Sequence, residues 1–195
     1  RRGAKVRVTE AVRPGAGSSG GLVGALAPHV PEQWNVKKAF QLDSLLMAAE
    51  WWGAVQAAGG VSPGYARSGR LQPIADEAAL TFARSRAEGA KALWQGRADW
   101  NVIRATGGTW EPATGSGWLI HDTLTARMHP RQALAALMAA LQAKGAEVRI
   151  GQADAHGPQV WATGYAGLLA LSEGRRRVVG GAVKGQAALF RFDAA

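Results

Sequence analysis

A carboxylate and two serines near the start of the chain could together hold a nucleoside diphosphate. Glu10 closes a short alternating segment at residues 5–9, and Ser18 and Ser19 follow in a glycine-rich loop. In an open α/β sheet, a carboxylate at a strand end can accept hydrogen bonds from both ribose hydroxyls, and the N–H groups that open a helix face a pyrophosphate. The spacing therefore predicts Glu10 as a ribose ligand and Ser18–Gly21 as a phosphate loop.

The same loop also fits the glycine pattern of a dinucleotide-binding turn. Gly15, Gly17 and Gly20 match G-x-G-x-x-G. That turn must follow a buried apolar strand directly. Here the preceding strand alternates charged and apolar residues, and Arg13 and Pro14 intervene, so the context disfavours this interpretation.

Two further interpretations of the loop stay open. Residues 17–21 match G-x-S-x-G, the turn that exposes a nucleophilic serine in hydrolases. Such a serine also needs a histidine and an acid brought close by the fold, and the four histidines of this chain permit that without indicating it. The loop could equally be a flexible linker between two elements.

Composition limits the function classes. With 195 residues, 47% of them hydrophobic, the chain is long enough for one domain or two small lobes with a real core. The absence of cysteine excludes disulfides, thiolate metal sites and cysteine nucleophiles. There is no apolar run long enough to span a membrane and no signal-peptide pattern, so we expect a soluble, cytoplasmic protein.

The net charge of +9 raises the question of nucleic acid binding. Basic residues cluster only at residues 1–7 and 175–177, and neither cluster alternates with aromatic residues as in single-strand binders. A solvated surface, or one that attracts an anionic cofactor or an acidic substrate, accounts for the charge better.

The pattern of elements predicts a mixed α/β fold. We expect a strand at residues 5–9, a small-residue helix from Ser19 to Pro28 and a helix at residues 38–58 that Gly59 and Gly60 end. The buried face of the second helix is predicted to comprise Leu42, Leu45, Leu46, Ala49 and Trp52.

The middle of the chain predicts an antiparallel sheet. Short strands are expected at residues 65–67, 71–74, 100–104, 108–111, 117–121 and 123–127, with a helix capped by Asp76 and ending near Trp94. A helix from Pro130 to Gly145 and strands at 148–150 and 159–162 follow, and Thr163 and Gly164 form a tight turn.

Other polar and aromatic residues give weaker signals. His29, His121, His129 and His156 lack the spacing of metal ligands, so no metal site is predicted. Asp122 and Glu111 are interpreted as solvated loop carboxylates. Trp110 and Trp118 could form a wall of a substrate pocket.

The combination of these segments resembles a known family. The acid-ended strand, RPGAGSSGG, GALAPH, a G-R-L strand, HPRQALAALMAALQAKGAEV and ATGYAGL occur in the order found in D-amino-acid-oxidase-type flavoproteins. These include glycine oxidases, sarcosine oxidases and the oxidase domain that processes methylaminomethyl-uridine in tRNA. The resemblance covers about residues 5–192.

The resemblance implies FAD as cofactor and oxidation of the C–N bond of an amine or amino acid by hydride transfer to the flavin. By position, Glu10 resembles the adenosine-ribose ligand. The residues that resemble the pyrophosphate contacts are Ser18, Ser19 and Gly20. Those beside the isoalloxazine are Gly24, Ala25 and Leu26, and Thr163 with Gly164 resembles the strand end that closes over the cofactor. No catalytic side chain is identified.

The resemblance also implies two lobes and an incomplete chain. An FAD-binding, Rossmann-like lobe would comprise residues 1–62 and 129–172, and an inserted antiparallel substrate lobe residues 63–128 and 173–195. The family's first strand, with its own glycine fingerprint, would precede Arg1, and its C-terminal section would follow Ala195. Two alternatives remain: a tRNA-modifying flavoenzyme domain, and a non-catalytic remnant without cofactor.

Overall fold

The computed structural model describes residues 5–152 and 157–191. These contain a mixed arrangement of helices and short strands. The strands are β1 (Arg7–Glu10), β2 (Gly24–Leu26), β3 (Arg70–Pro73), β4 (Trp100–Arg104), β5 (Trp118–Asp122), β6 (Ala126–Met128) and β7 (Glu147–Ile150). The helices are α1 (Val36–Gly59), α2 (Glu77–Trp94), α3 (Pro130–Ala143) and α4 (Gly164–Arg175), with a single 3-10 turn at Ser18–Gly20.

The strands form three small sheets. β1 and β7 pair in parallel, β2 and β6 pair antiparallel, and β3, β5 and β4 form an antiparallel sheet with β5 in the centre. A parallel pair needs a long connection, which here includes the whole middle of the chain. Residues far apart in sequence, such as Glu10 and Ile150, are therefore neighbours across β1 and β7.

Capping residues set the helix boundaries. Asn35 accepts a hydrogen bond from the N–H of Lys38 at the start of α1, and Gly60, with φ of 71°, ends that helix. Asp76 caps α2 in the same way through Ala79 N–H. His129 accepts a hydrogen bond from Gln132 N–H at the start of α3, where Pro130 occupies the first turn.

The core lies between α1, α2 and the three-stranded sheet. Trp94 of α2 is fully buried and meets Trp100 of β4 edge to face, with ring centroids 6.1 Å apart. The other main core residues are apolar side chains from α1, α2, β5 and the segments just after β3 and β5: Leu42, Leu45, Leu80, Ile120, Ile74 and Leu124. On the predicted face of α1 the structure buries Ala48 and exposes Ala49, a shift of one position.

Most predicted elements are confirmed, including α1, α2, α3 and the antiparallel middle sheet. The predicted helix from Ser19 to Pro28 is wrong. Glycines at 20, 21 and 24 weaken helix formation, and the free edge of β6 supplies backbone partners that draw Gly24–Leu26 into a strand.

Three predicted strands are also wrong. Residues 108–111 form a turn, because the Glu111 carboxylate binds the N–H groups of Thr106 and Gly107. At residues 65–67 a single bridge joins Ala66 to Arg127. Residues 159–162 have no regular secondary structure, and Thr163 and Gly164 begin α4 rather than end a strand.

Candidate cofactor site

The glycine-rich loop folds back on itself between β1 and β2. Ala16 N–H donates to the carbonyl of Arg13 at 2.9 Å, and Gly20 N–H donates to the carbonyl of Gly17 at 3.1 Å. A Cβ atom on Gly20 would lie 2.0 Å from the carbonyl oxygen of Gly15, so this position accepts only a bare Cα. The loop is thus a defined turn, and its glycines are explained first by contacts within the chain.

A cleft of about 520 Å³ lies between this loop and α3, and we refer to it as the α3 cleft. Arg131, in the first turn of α3, donates from Nε to the carbonyl oxygen of Gly20 at 3.0 Å and so joins the two walls. The residues around the cleft are Arg13, Pro14, Gly15, Gly20, Arg131, Leu134, Ala135 and Met138. Two guanidinium groups beside a glycine turn make this a site suited to an anion.

Glu10 lies at the carboxyl end of β1, the end at which open α/β sheets bind nucleotides. One of its oxygens, Oε1, accepts a hydrogen bond from Val12 N–H at 3.0 Å, which holds the side chain close to its own backbone. The other oxygen accepts no hydrogen bond from a described residue, so the carboxylate keeps one free acceptor.

Ser18 and Ser19 are exposed in the 3-10 turn. Neither their hydroxyls nor their own N–H groups donate to another described residue. The turn contacts α3, although the two serines are not among the residues that line the α3 cleft. The structure therefore brings Gly20 to the cleft wall and leaves both serines on the outer side of the same turn.

Gly24, Ala25 and Leu26 form β2, paired with Met128, Arg127 and Ala126 of β6. A Cβ atom on Gly24 would lie 2.5 Å from the carbonyl oxygen of Met128, so a close backbone contact requires glycine here. Because α3 starts directly after β6, this pair of strands positions the start of α3 beside the loop.

Thr163 and Gly164 lie apart from these elements. They begin α4, a helix with no buried residue, and the carbonyl of Thr163 accepts a bond from Gly167 N–H of the same helix. No hydrogen bond joins either residue to Glu10 or to the loop within residues 5–152 and 157–191. Their assignment to the cofactor site stays a prediction.

Asp122 is fully buried, so its interpretation as a solvated loop carboxylate is wrong. It ends β5, where Oδ2 accepts from Nε of Arg70 at 3.1 Å and Oδ1 accepts from Thr125 N–H at 2.7 Å. Both oxygens are used within the fold, and Arg70 is the residue that faces Asp122 in the β3–β5 register. This arrangement joins two strands and leaves no acceptor for a substrate amine.

Glu111 stabilises a turn. Hydrogen bonds lower the pKa of the Glu111 carboxyl. The backbone N–H of Thr106 makes the largest contribution, and the Thr106 hydroxyl and Gly107 N–H lower it further.

The two tryptophans of this region differ in exposure. Trp110 is 75% exposed, whereas Trp118 is half-buried and lines a separate cleft beside α2.

The described part of the chain has neither a metal-ligand cluster nor a membrane-spanning helix. Residues 5–152 and 157–191 contain no group of three histidine, aspartate or glutamate side chains placed to hold a metal ion, and His156 lies outside these residues. No helix among them is long and apolar enough to cross a membrane.

Comparison with known proteins decides the family. The profile of FAD dependent oxidoreductases, DAO, matches residues 1–185. This chain belongs to that family. The family is FAD-dependent, which confirms the resemblance and the cofactor inferred from the sequence. No curated protein sequence gives a significant match.

Solved structures show the fold of this family member. Glycine oxidase from Geobacillus kaustophilus has a TM-score of 0.57 at 15% identity, over 76% of this chain and 40% of that one. Iminodiacetate oxidase from Chelativorans sp. BNC1 has a TM-score of 0.59 at 23% identity, over 77% of this chain and 41% of that one. L-amino acid deaminase from Proteus myxofaciens has a TM-score of 0.60 at 16% identity, over 83% of this chain and 36% of that one. The mixed α/β fold class is confirmed, and the chain spans about two-fifths of the length of these structures.

The donor groups of the loop region suit the adenosine diphosphate part of FAD. Glu10 has one free carboxylate oxygen, and Ser18 and Ser19 have hydroxyl and N–H donors without partners among the described residues. Arg13 forms no ion pair with a described carboxylate, and Arg131 adds a second positive charge. The segment from Glu10 to Ser19 therefore carries one free carboxylate oxygen, suited to ribose hydroxyls, and free hydroxyl and N–H donors, suited to phosphate.

The sequence reasoning missed the two arginines. Arg13 enters the sequence interpretation only as a residue that interrupts the glycine motif, and Arg131 has no predicted role. No local pattern marks Arg131, because its contact with Gly20 depends on how α3 packs against a loop more than one hundred residues earlier.

Proposed function

We propose that this FAD-dependent oxidoreductase oxidises the C–N bond of a small amine or amino acid. The names of three structural neighbours, a glycine oxidase, an iminodiacetate oxidase and an L-amino acid deaminase, support this substrate class. Bound FAD supplies the acceptor for the hydride that leaves the substrate carbon, and the protein supplies binding, orientation and a dry site.

The observation that carries the proposal is the arrangement around the glycine-rich loop. Glu10 stands at the carboxyl end of a parallel pair, and the loop directly after it presents unpartnered donors and Arg13, with Arg131 of α3 beside it. In this proposal the free oxygen of Glu10 accepts from the adenosine ribose, and the turn at Ser18–Gly20 donates to the diphosphate. The second oxygen of Glu10 and the donors of Ser18 and Ser19 have no partner among the described residues, whereas Gly20 N–H already donates to the carbonyl of Gly17.

The proposal assigns different roles to the remaining predicted residues. Gly24, Ala25 and Leu26 would present backbone to the isoalloxazine, and Thr163 with Gly164 would close over the cofactor from α4. The cofactor lobe would comprise residues 1–62 and 129–172, and the substrate lobe residues 63–128 and 173–195. The β3–β5–β4 sheet is the largest sheet within that second lobe.

The direct test is titration of the purified protein with FAD, followed by the quenching of flavin fluorescence and by calorimetry. We expect saturable binding that Glu10→Gln weakens about tenfold, since one charged acceptor to ribose is lost. Glu50→Gln is the matched control, because Glu50 is an exposed residue of α1 with no contact to the loop. Equal affinity of the two variants would remove Glu10 from the site.

The substrate class has a separate test. Protein loaded with FAD is mixed without oxygen with glycine, iminodiacetate or a larger L-amino acid, and bleaching of the visible flavin band is followed. Bleaching by at least one amine supports C–N oxidation. FAD binding without bleaching by any of them would retain the family's cofactor and contradict the proposed substrate class.

A further inference from the structure

A second cleft, of about 580 Å³, lies between α2 and β4, away from the glycine-rich loop. We refer to it as the α2 cleft. Trp100 forms part of its wall and is 4% exposed, anchored in the core against Trp94. Trp118, the first residue of β5, lies at the same cleft and is half-buried. The cleft thus has an aromatic, rigid side supplied by the central sheet.

Two arginines converge on the ring of Trp118. The Cζ atom of Arg104 lies 4.1 Å from the ring centroid, and the Cζ atom of Arg84 lies 5.2 Å from it. Both distances fall within the range of cation–π attraction. Arg84 comes from α2 and Arg104 from β4, so the indole brings together guanidinium groups from two elements. Arg84 and Trp118 line the α2 cleft, and Arg104 contacts that cleft through the Trp118 ring.

Neither guanidinium is neutralised by the fold. Arg84 and Arg104 form no hydrogen bond or ion pair with a carboxylate among the described residues. Lys91, about two turns further along α2, is a second basic residue that lines the cleft, and its neighbour Glu88 pairs with it at 2.8 Å. Both partners of that pair are about three-quarters exposed, so their attraction is weak. The α2 cleft therefore keeps an excess of positive charge.

A guanidinium stacked on an aromatic ring keeps its N–H donors free at its edge, in the plane that matches a carboxylate or phosphate. Stacking also restricts the arginine side chain before a ligand arrives, which reduces the entropy lost on binding. We propose that a small dianion, a phosphate group or a dicarboxylate, binds at the α2 cleft beside Trp118 and accepts hydrogen bonds from Arg84 and Arg104. This site is independent of FAD.

The test is titration of the protein with inorganic phosphate and, separately, with succinate, by calorimetry and by nuclear magnetic resonance of ¹⁵N-labelled tryptophan. We expect the indole N–H signal of Trp118 to move during titration with at least one anion, and that of Trp110 to stay. Phosphate alone, succinate alone or both would each support the dianion site and would identify which ligand chemistry it selects.

Variants separate this site from the general positive charge of the protein. Arg84→Gln and Arg104→Gln are each expected to weaken anion binding about tenfold, because each removes one positively charged guanidinium group. Arg175→Gln, at the exposed end of α4, is the matched control for loss of one positive charge. No shift of Trp118 with either anion, or equal weakening in all three variants, would overturn the proposal.

Discussion

Arg131 donates a hydrogen bond from its Nε to the carbonyl oxygen of Gly20, at 3.0 Å, across a separation of 111 residues in the chain. This bond connects the first turn of α3 to the only 3-10 turn of the described residues, and both of its residues line the α3 cleft. The conformation of the glycine-rich loop therefore depends on a helix that is distant in sequence.

Replacement of Arg131 should loosen the loop and weaken FAD binding. Arg131→Gln removes one hydrogen bond, worth about 1 kcal/mol, and one positive charge at the α3 cleft. We expect faster amide hydrogen exchange at Gly20 and Gly21 and a severalfold lower affinity for FAD. Arg131→Lys should restore part of the affinity because it keeps the charge. Arg175→Gln serves as control, and an effect of that variant as large as that of Arg131→Gln would contradict a specific role.

Gly20 should tolerate no side chain, in contrast to Gly17 in the same loop. A Cβ atom at Gly20 would lie 2.0 Å from the carbonyl oxygen of Gly15, whereas at Gly17 nothing lies within 4 Å. We expect Gly20→Ala to lower the free energy of unfolding by about 2 kcal/mol, and Gly17→Ala to change it little. Urea unfolding followed by circular dichroism measures both. If Gly20→Ala were as stable as Gly17→Ala, the loop in solution would have another conformation.

The ion pair between buried Asp122 and partly exposed Arg70 should matter for stability rather than for binding. Asp122→Asn keeps the shape but removes the charge that faces Arg70, and we expect the free energy of unfolding to fall by about 2 kcal/mol. Asp76→Asn is the control, because asparagine caps a helix as well as aspartate does. Thermal unfolding of the two variants measures this difference in stability. A stable Asp122→Asn variant with weakened substrate binding would instead place Asp122 in a functional site.

Local signals in the sequence were sufficient for α1, α2 and α3, since Gly60, Asp76 and Pro130 mark helix ends or starts through interactions within a few residues, whereas α4 was not predicted. The segment after Ser19 could not be predicted in this way. Its conformation depends on β6, about one hundred residues later, which supplies the partners that make Gly24–Leu26 a strand.

The candidate site shows the same division between local and distant determinants. Glu10 was predictable as the residue that ends an alternating strand, whereas the position of Arg131 beside Gly20 is set by tertiary packing of α3. Asp122 was misjudged for a related reason. A carboxylate at a strand end is usually solvated, and only the register of β3 against β5 places Arg70 opposite to it.

The ion pair of Glu32 and Arg86 should make stability depend on acid pH. Arg86 donates to both carboxylate oxygens, at 2.9 and 2.8 Å, and these hydrogen bonds lower the pKa of Glu32 below its ordinary 4.5. A carboxyl with a lowered pKa in the folded state stabilises the fold above its unfolded pKa, and this contribution is lost as pH falls through the folded pKa.

We therefore compare urea unfolding of the wild type and of Glu32→Gln at neutral pH and near pH 3. At neutral pH the variant should be less stable by about 1 kcal/mol, a value limited by the partial exposure of both partners to water. The difference should shrink as the pH falls through the folded-state pKa, because a growing share of the wild-type carboxyl is then protonated and, like glutamine, uncharged. Glu77→Gln, an exposed residue in the first turn of α2, controls for acid effects at other carboxylates. A difference between wild type and Glu32→Gln that stays constant with pH would show that the side chain acts through packing and not through its charge.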